Sequence, residues 1–319
     1  MLRAGNAPIL YTAIDGPDFG KSALRCGNEI LGERTLAFDV PSNVLPAVVG
    51  DTFVEQIATS PRLILCGAGH VSVYTAKIAK MIGFRVTVID DRTEFASSVR
   101  FPDADQILTL PFEEALNATN DPNSYYVIVT RGHKDDLLCL KAILTKSFAY
   151  CGMIGSRSKV GIVFDMLRSQ GISDELLSRV HSPIGLKIGA QTPEEIALSI
   201  VGEMIQTKNA SGHCSEWDES LIRAVESATE PYAMVTLIDK HGSAPRSAGA
   251  RMIVKCDGSI ISSVGGGFGE YEASEYAKEM LMHGPNVKRY TCKMNNTEAS
   301  SKGMICGGEI DIMIQIVEV

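Results

Sequence analysis

An apolar run, Arg62-Leu63-Ile64-Leu65-Cys66, leads directly into Gly67-Ala68-Gly69-His70-Val71. A second run, Gly83-Phe84-Arg85-Val86-Thr87-Val88-Ile89, ends on Asp90-Asp91 about twenty residues later. Strand, G-x-G, helix-length segment, strand and acid, in that order and spacing, is the grammar of a dinucleotide-binding βαβ unit. Gly67 and Gly69 let the backbone turn tightly and approach a pyrophosphate, whose charge would sit at the N-terminus of a helix opening near His70. Asp90, with Asp91 beside it, can accept hydrogen bonds from ribose hydroxyls. Ser72 stands where the motif has its third glycine and is small enough to keep the helix close to the strand. The same residues also read as a plain tight turn facing a solvated strand end.

The periodicity extends the unit. Strands are expected at 62–66, 84–90, 106–110, 125–130 and 150–154, alternating with helices at 71–81, 112–116, 134–145 and 158–170. A further helix over Gln191–Gln206 is marked by Thr192 as N-cap, Pro193 in the first turn and acids that complement the helix dipole. Alternating strands and helices give a Rossmann-type, doubly wound parallel sheet over residues 60–207. In an open sheet of this kind ligands bind at the carboxyl edge of the strands. That edge should carry Arg131 and His133 after one strand and Arg157 after the next, either lining a crevice beside Gly67–Gly69 or standing as solvated loop charges.

A polar, glycine-containing stretch at 208–218 reads as a linker. Residues 219–319 then read as a smaller α+β domain, with helices at 219–228 and 270–282 and strands at 233–239, 251–256, 259–262, 286–291 and 309–318. Residues 1–59 hold strand-like patches, Ile9–Ile14 and Arg34–Val40, too little to fold alone; they are expected to pack on the C-terminal domain or to mediate an interface. The formal net charge of −8 opposes a nucleic-acid or anionic-membrane partner. No apolar run approaches a membrane span and no signal-peptide core is present, so the expected location is the cytoplasm. The eight cysteines form no C-x-x-C and read mostly as buried small hydrophobes.

The C-terminal domain has three glycine-rich turns. They are His241-Gly242-Ser243-Ala244-Pro245-Arg246 through Arg251, Ser263-Val264-Gly265-Gly266-Gly267 leading to Glu270, and Gly303-Met304-Ile305-Cys306-Gly307-Gly308. Consecutive backbone N–H groups ahead of a helix can converge on an anion, and Arg246 and Arg251 would add forked donors. A thiolate at Cys306 would be a soft metal ligand or sulfur acceptor; no other metal ligand set stands out. Each turn taken alone also fits a tight hairpin needing positive φ, and His241 reads as a capping or exposed residue as readily as a proton donor.

At these residues the chain resembles the XdhC/CoxI family. Gly242-Ser243-Ala244-Pro245-Arg246, Gly249-Ala250-Arg251-Met252, Val264-Gly265-Gly266-Gly267 and Cys306-Gly307-Gly308 are similar to its XdhC/CoxI domain. Cys66-Gly67-Ala68-Gly69-His70, Val88-Ile89-Asp90-Asp91-Arg92, Arg100-Phe101-Pro102-Asp103-Ala104, Gly152-Met153-Ile154-Gly155-Ser156-Arg157, Ile184-Gly185-Leu186 and Thr192-Pro193-Glu194-Glu195 are similar to its Rossmann domain. In the family the XdhC/CoxI domain commonly comes first; here it follows.

The resemblance implies an accessory factor that binds molybdenum cofactor as cargo, supports its sulfuration and delivers it to a molybdenum hydroxylase such as xanthine dehydrogenase. A cysteine desulfurase is implied as a further partner, NAD or NADP as a ligand of the Rossmann unit, and a homo-oligomer as the working form. Arg246, Arg251, Gly265–Gly267, Gly307 and Gly308 would hold the anionic end of the cargo and Cys306 its sulfur-rich end. Whether the chain is itself an enzyme stays open: an NAD(P)-dependent oxidoreductase and a nicotinamide-sensing regulatory module compete with the accessory reading.

Overall fold

The computed structural model describes residues 8–41, 44–210, 215–242, 246–293 and 308–319. The chain forms two compact units, one from Met1–Thr59 together with Gly212–Val319, the other from Ser60–Ser211.

The first unit opens with β1 (Ile9–Ala13), β2 (Ser22–Cys26), β3 (Glu29–Gly32), β4 (Ala47–Val49) and β5 (Thr52–Thr59), where β1 pairs antiparallel with both β2 and β5. Tyr11, Ala23, Leu36, Leu45 and Val54 give these strands a small core of their own. The strand expected over Arg34–Val40 is absent. Arg34–Leu36 is instead a single 3-10 turn, because the Glu33 carboxylate accepts from the backbone N–H of Thr35 and from its hydroxyl at 2.8 Å. A short local polar contact has overridden β propensity there.

The second unit runs β6 (Arg62–Cys66), α1 (His70–Met81), β7 (Arg85–Ile89), β8 (Gln106–Leu108), α2 (Phe112–Asn117), β9 (Ser124–Ile128), α3 (His133–Leu144), β10 (Tyr150–Met153), α4 (Arg157–Ser169), α5 (Asp174–Ser178), β11 (Val180–His181) and α6 (Pro193–Ala210). Its sheet is parallel, in the order β11-β10-β9-β6-β7-β8. The chain thus starts in the middle, winds outward to β8, then crosses back to β9 and winds the other way. Side chains alternate between two cores, as a period of two requires. Leu63, Leu65, Val86 and Val88 meet Ala76, Ala79, Ile200 and Met204 of α1 and α6. Ile64, Cys66, Ile89 and Ile128 meet Leu116, Leu140, Ile143 and Val163 of α2, α3 and α4. Helices on both faces explain why the strands read as unbroken apolar runs. At the start of α6, Thr192 Oγ1 accepts from the Glu195 N–H at 3.3 Å and the Glu195 carboxylate accepts from the Thr192 N–H at 3.1 Å, a reciprocal capping box.

The chain then returns to the first unit. The stretch read as a linker is structured at both ends: α6 continues to Ala210, and β12 (Ser215–Trp217) pairs in parallel with β5. Composition alone could not reveal this, because the partner strand lies far away in sequence. Next come α7 (Glu219–Glu226), β13 (Tyr232–Gly242), β14 (Arg251–Lys255), β15 (Ile260–Ser262), α8 (Gly267–His283), β16 (Val287–Lys293) and β17 (Gly308–Val317). The last five strands form an antiparallel sheet ordered β15-β14-β13-β17-β16. Ala273, Ala277 and Met280 of α8 pack on its Val235, Leu237, Ile312 and Ile314. Within this unit Ile14 and Phe53 pack against Ile238 and Met313, and Gln315 Nε2 donates to the Gly20 carbonyl at 3.0 Å. Among the described residues no helix is long and apolar enough to cross a membrane.

Candidate functional site

The sheet order of the second unit reverses between β6 and β9, and such a reversal opens a crevice at the carboxyl edge of the strands. Gly67 sits there with φ at +112°, and a Cβ on it would lie 2.5 Å from the Val129 carbonyl oxygen, so only glycine fits. Its N–H donates to Ile89 O at 2.8 Å. The buried Ser72 hydroxyl donates to Gly67 O at 2.5 Å, so the residue replacing the third glycine ties helix to turn. Gly69 is different: it N-caps α1 with φ at −71°, and a Cβ there would meet nothing within 4 Å. No side chain caps α1 and no acid stands in its first turn, whereas Ser156 caps α4 and Thr192 caps α6. An uncapped, positively polarised helix end over a glycine turn fits the diphosphate of a nucleotide.

Across the reversal, Gly132 N-caps α3, again with no side-chain cap and with open space where a Cβ would be. Its flank is braced by Asp136, fully buried, which accepts from Thr130 Oγ1 at 2.6 Å and lies 2.5 Å from Lys159 Nζ. His70 and His133 are the first residues of α1 and α3, and both are exposed. Arg157, also exposed, begins α4 one strand further out. The structure therefore brings Gly67, Gly69, His70, Asp90, Asp91, Arg131 and His133 to the edges of β6, β7 and β9, with Arg157 at the edge of β10.

The two aspartates have separate tasks. Asp90 is 1% exposed. Its carboxylate accepts from the Ala68 N–H at 2.8 Å, the Arg92 N–H at 3.1 Å, Arg92 Nε at 2.8 Å and Arg92 Nη2 at 2.9 Å. Burial pushes this carboxyl up, but the bonds from Arg92 and Ala68 outweigh it and hold the group below the usual aspartate range. Asp90 thus locks the glycine turn, and its lone pairs are taken. Asp91 is 43% exposed and lies 3.1 Å from Arg131 Nη2. Motif spacing places the ribose acid at Asp90; the neighbour is the one that faces out.

Arg100, to which the motif assigns no role, also reaches the turn. Its Nη2 donates to Ala68 O at 3.2 Å, while its buried Nε has no partner. Its guanidinium and that of Arg92 lie 4.9 and 3.8 Å from the Phe95 ring centre. A cation within ten residues of the strand-end acid, flanked by Phe95 and Phe101, is the signal that could have found it.

In the first unit the Ser263–Gly267 turn does converge on an anion, but the anion is internal. Gly265, Gly266 and Gly267 have φ of +133°, +71° and +70°. The N–H groups of Val264 and Gly266 each donate to Glu270 Oε2 at 3.0 Å, and the Ser263 hydroxyl donates to the same oxygen. Burial opposes the charge on Glu270, yet these bonds hold its carboxyl below the ordinary range. Arg251 is likewise committed: it is buried, forms a bidentate pair with Glu55 and donates to Gly249 O at 3.1 Å. In this structure the Val264 and Gly266 N–H groups and the Arg251 guanidinium are thus engaged by the chain's own carboxylates, while the Gly265 N–H donates to Ser263 Oγ at 3.0 Å. Arg246 is exposed, His241 is exposed beside Asp239, and Gly308 opens β17 opposite Gly242. Cys306 and Gly307 lie outside the described residues. Cys66, Cys139 and Cys151 are fully buried, and burial pushes the Cys151 thiol up, as befits core residues.

Comparison with known families decides the relationship. The model of the XdhC Rossmann domain matches residues 63–204, and that of the XdhC and CoxI family matches residues 226–291. The chain belongs to the XdhC/CoxI family. This XdhC-family chain is 35% identical over 159 residues to the Escherichia coli protein named uncharacterized protein YqeB, covering 49% of this chain and 29% of that protein. It is 36% identical over 157 residues to a Bacillus subtilis protein named as a probable xanthine dehydrogenase subunit, covering 49% of this chain and 46% of that protein. Each match spans less than half of the curated relative's length. Among solved structures, a Bacillus halodurans protein described as a xanthine dehydrogenase superposes with a TM-score of 0.55 at 26% identity, covering 66% of this chain and 64% of that one.

Proposed function

We propose that this chain is an accessory protein of a molybdenum hydroxylase of the xanthine dehydrogenase type. It binds molybdenum cofactor as cargo, supports its sulfuration with sulfur from a cysteine desulfurase, and hands it to the apo-enzyme in the cytoplasm, working as a homo-oligomer. The observation that supports this is the presence, in one chain, of both units that define the family. In this reading the cargo's phosphate is met by Arg246 and by backbone N–H groups at Gly307 and Gly308, and Cys306 offers a soft thiolate to the sulfur-rich end. The crevice at Gly67–Gly69 takes NAD or NADP, for which the uncapped end of α1 supplies the anion site.

The test is co-expression with a client hydroxylase in a host lacking the endogenous accessory factor. Client activity and molybdenum content should rise together with the wild-type chain and stay at background with Cys306→Ser, whose hydroxyl is a harder and more basic ligand than a thiolate. Steady-state turnover of NAD and a small substrate by the chain alone, with no effect on the client, would instead favour the oxidoreductase.

A further inference from the structure

An ion pair bridges the carboxyl edge of the parallel sheet. Asp91 follows β7, Arg131 follows β9, and β6 with its glycine turn lies between those two strands in the sheet. The 3.1 Å contact between the Asp91 carboxylate and Arg131 Nη2 therefore links the two loops that border the Gly67–Gly69 turn. Both partners are about half exposed, at 43% and 54%. Pairs of this kind stabilise a fold little, so separating them costs little. Longer contacts flank the pair, Arg92 Nε to Asp91 Oδ1 at 3.9 Å and Arg131 Nε to Asp135 Oδ2 at 3.8 Å, while Asp90 is buried and saturated by Arg92 and Ala68.

We propose that the Asp91–Arg131 pair is a displaceable latch. In this proposal Asp91, rather than Asp90, reads the ribose of a bound nucleotide, and Arg131 turns to its diphosphate. The proposal rests on the nucleotide reading of the crevice given above. Its logic is exchange of partners: a ribosyl diphosphate brings hydroxyl donors for the carboxylate and anionic oxygens for the guanidinium. One ligand thus replaces both halves of the pair without leaving either charge bare. Because the helix end and Arg131 serve the diphosphate, Asp91 is the charge left facing the 2′ position. It accepts from a free 2′-hydroxyl and repels a 2′-phosphate. The chemical class selected is a nucleoside diphosphate with an unmodified ribose diol.

Calorimetric titration with NAD and with NADP tests this on the full-length protein, comparing wild type with Asp91→Asn, Asp91→Ala and Arg131→Ala. Wild type should bind NAD more tightly than NADP. Both Asp91 variants should lose roughly ten- to a hundredfold in NAD affinity, the scale of a hydrogen bond to a charged group, and should narrow the NAD-to-NADP ratio. Arg131→Ala should weaken both ligands by a similar factor and leave their ratio unchanged, because both carry the same diphosphate. Tight NAD binding that survives Asp91→Ala with its ratio to NADP intact overturns the latch while leaving the nucleotide site standing. Failure of the wild type to bind either dinucleotide at millimolar concentration overturns the site and the latch together.

Discussion

Arg251 holds both carboxylate oxygens of Glu55 with its two terminal guanidinium nitrogens, although the two residues are 196 positions apart and both are almost fully buried. The pair joins β14 to β5, and with them the two sheets of the first unit. Trp217, on β12 beside β5, lies with its ring centre 5.1 Å from the Arg251 guanidinium carbon.

Removing one member of a buried ion pair leaves the other without a counter-charge, so Arg251→Met or Glu55→Gln should each destabilise this unit by about 3–5 kcal/mol. The double change Glu55→Leu with Arg251→Met should recover a large part of that loss. Trp217 is the sole tryptophan of the chain, so its emission reports on this junction directly. Chemical denaturation followed by tryptophan fluorescence should show the loss; an unchanged midpoint and emission maximum in Arg251→Met would remove the pair from the fold's foundations.

Gly67 and Gly69 should respond oppositely to alanine. At Gly67 the positive φ and the 2.5 Å approach to Val129 O leave no room, so Gly67→Ala should cost upwards of about 2 kcal/mol and reduce soluble yield. At Gly69 the space is open and φ is ordinary, so Gly69→Ala should cost under about 1 kcal/mol while weakening nucleotide binding through its intrusion above the helix end. Thermal melting paired with calorimetry on both variants separates the two roles, and equal melting temperatures would refute the distinction.

Asp90→Asn should destabilise the parallel-sheet unit by about 2–3 kcal/mol near neutral pH, since bonds to a charged carboxylate are lost. The folded-state carboxyl is held below its ordinary value, so its contribution is complete above about pH 4 and fades as pH falls through the depressed folded-state value. The gap in stability between wild type and Asp90→Asn should therefore be constant from about pH 5 to 7 and shrink below about pH 4. Urea denaturation across that range is the measurement; a gap that widens on acidification contradicts the assignment.

Glu270→Ala should leave the Val264 and Gly266 N–H groups and the Ser263 hydroxyl without their shared acceptor, at a cost of about 1–3 kcal/mol. Glu270→Gln keeps an oxygen in place and should lose about half as much. Inorganic phosphate at millimolar concentration should raise the melting temperature of the alanine variant more than that of wild type, because the vacated N–H groups then donate to an external anion. Identical phosphate effects on the two proteins would argue that the turn needs no anion.

The parallel sheet is legible in sequence because each strand is buried on both faces and each helix has a marked start; β6, β7, β9 and β10 carry that signal on their own. The start of α8 is less so: glycines at 265–267 read as a break, yet the helix begins at Gly267 once Glu270 reaches back to bind the turn. That signal was available, since an acid four residues after Gly266 imitates a capping box. The two-residue strand β11 and the short α5 carry no periodicity to detect. The site's residues were legible by position but not by employment. Nothing local says that Arg92 folds back onto Asp90, or that Arg251 spends its charge on a glutamate in the N-terminal strands.

The interrupted layout of the first unit bears on its biosynthesis. The ribosome delivers Glu55 on β5 long before β12 or Arg251 exists, and the whole Ser60–Ser211 unit emerges in between. During that interval the N-terminal sheet exposes an open strand edge, the kind of surface that pairs with other nascent chains. Charged side chains blunt such edges, and Glu55 is the carboxylate that β5 carries there before its arginine partner exists.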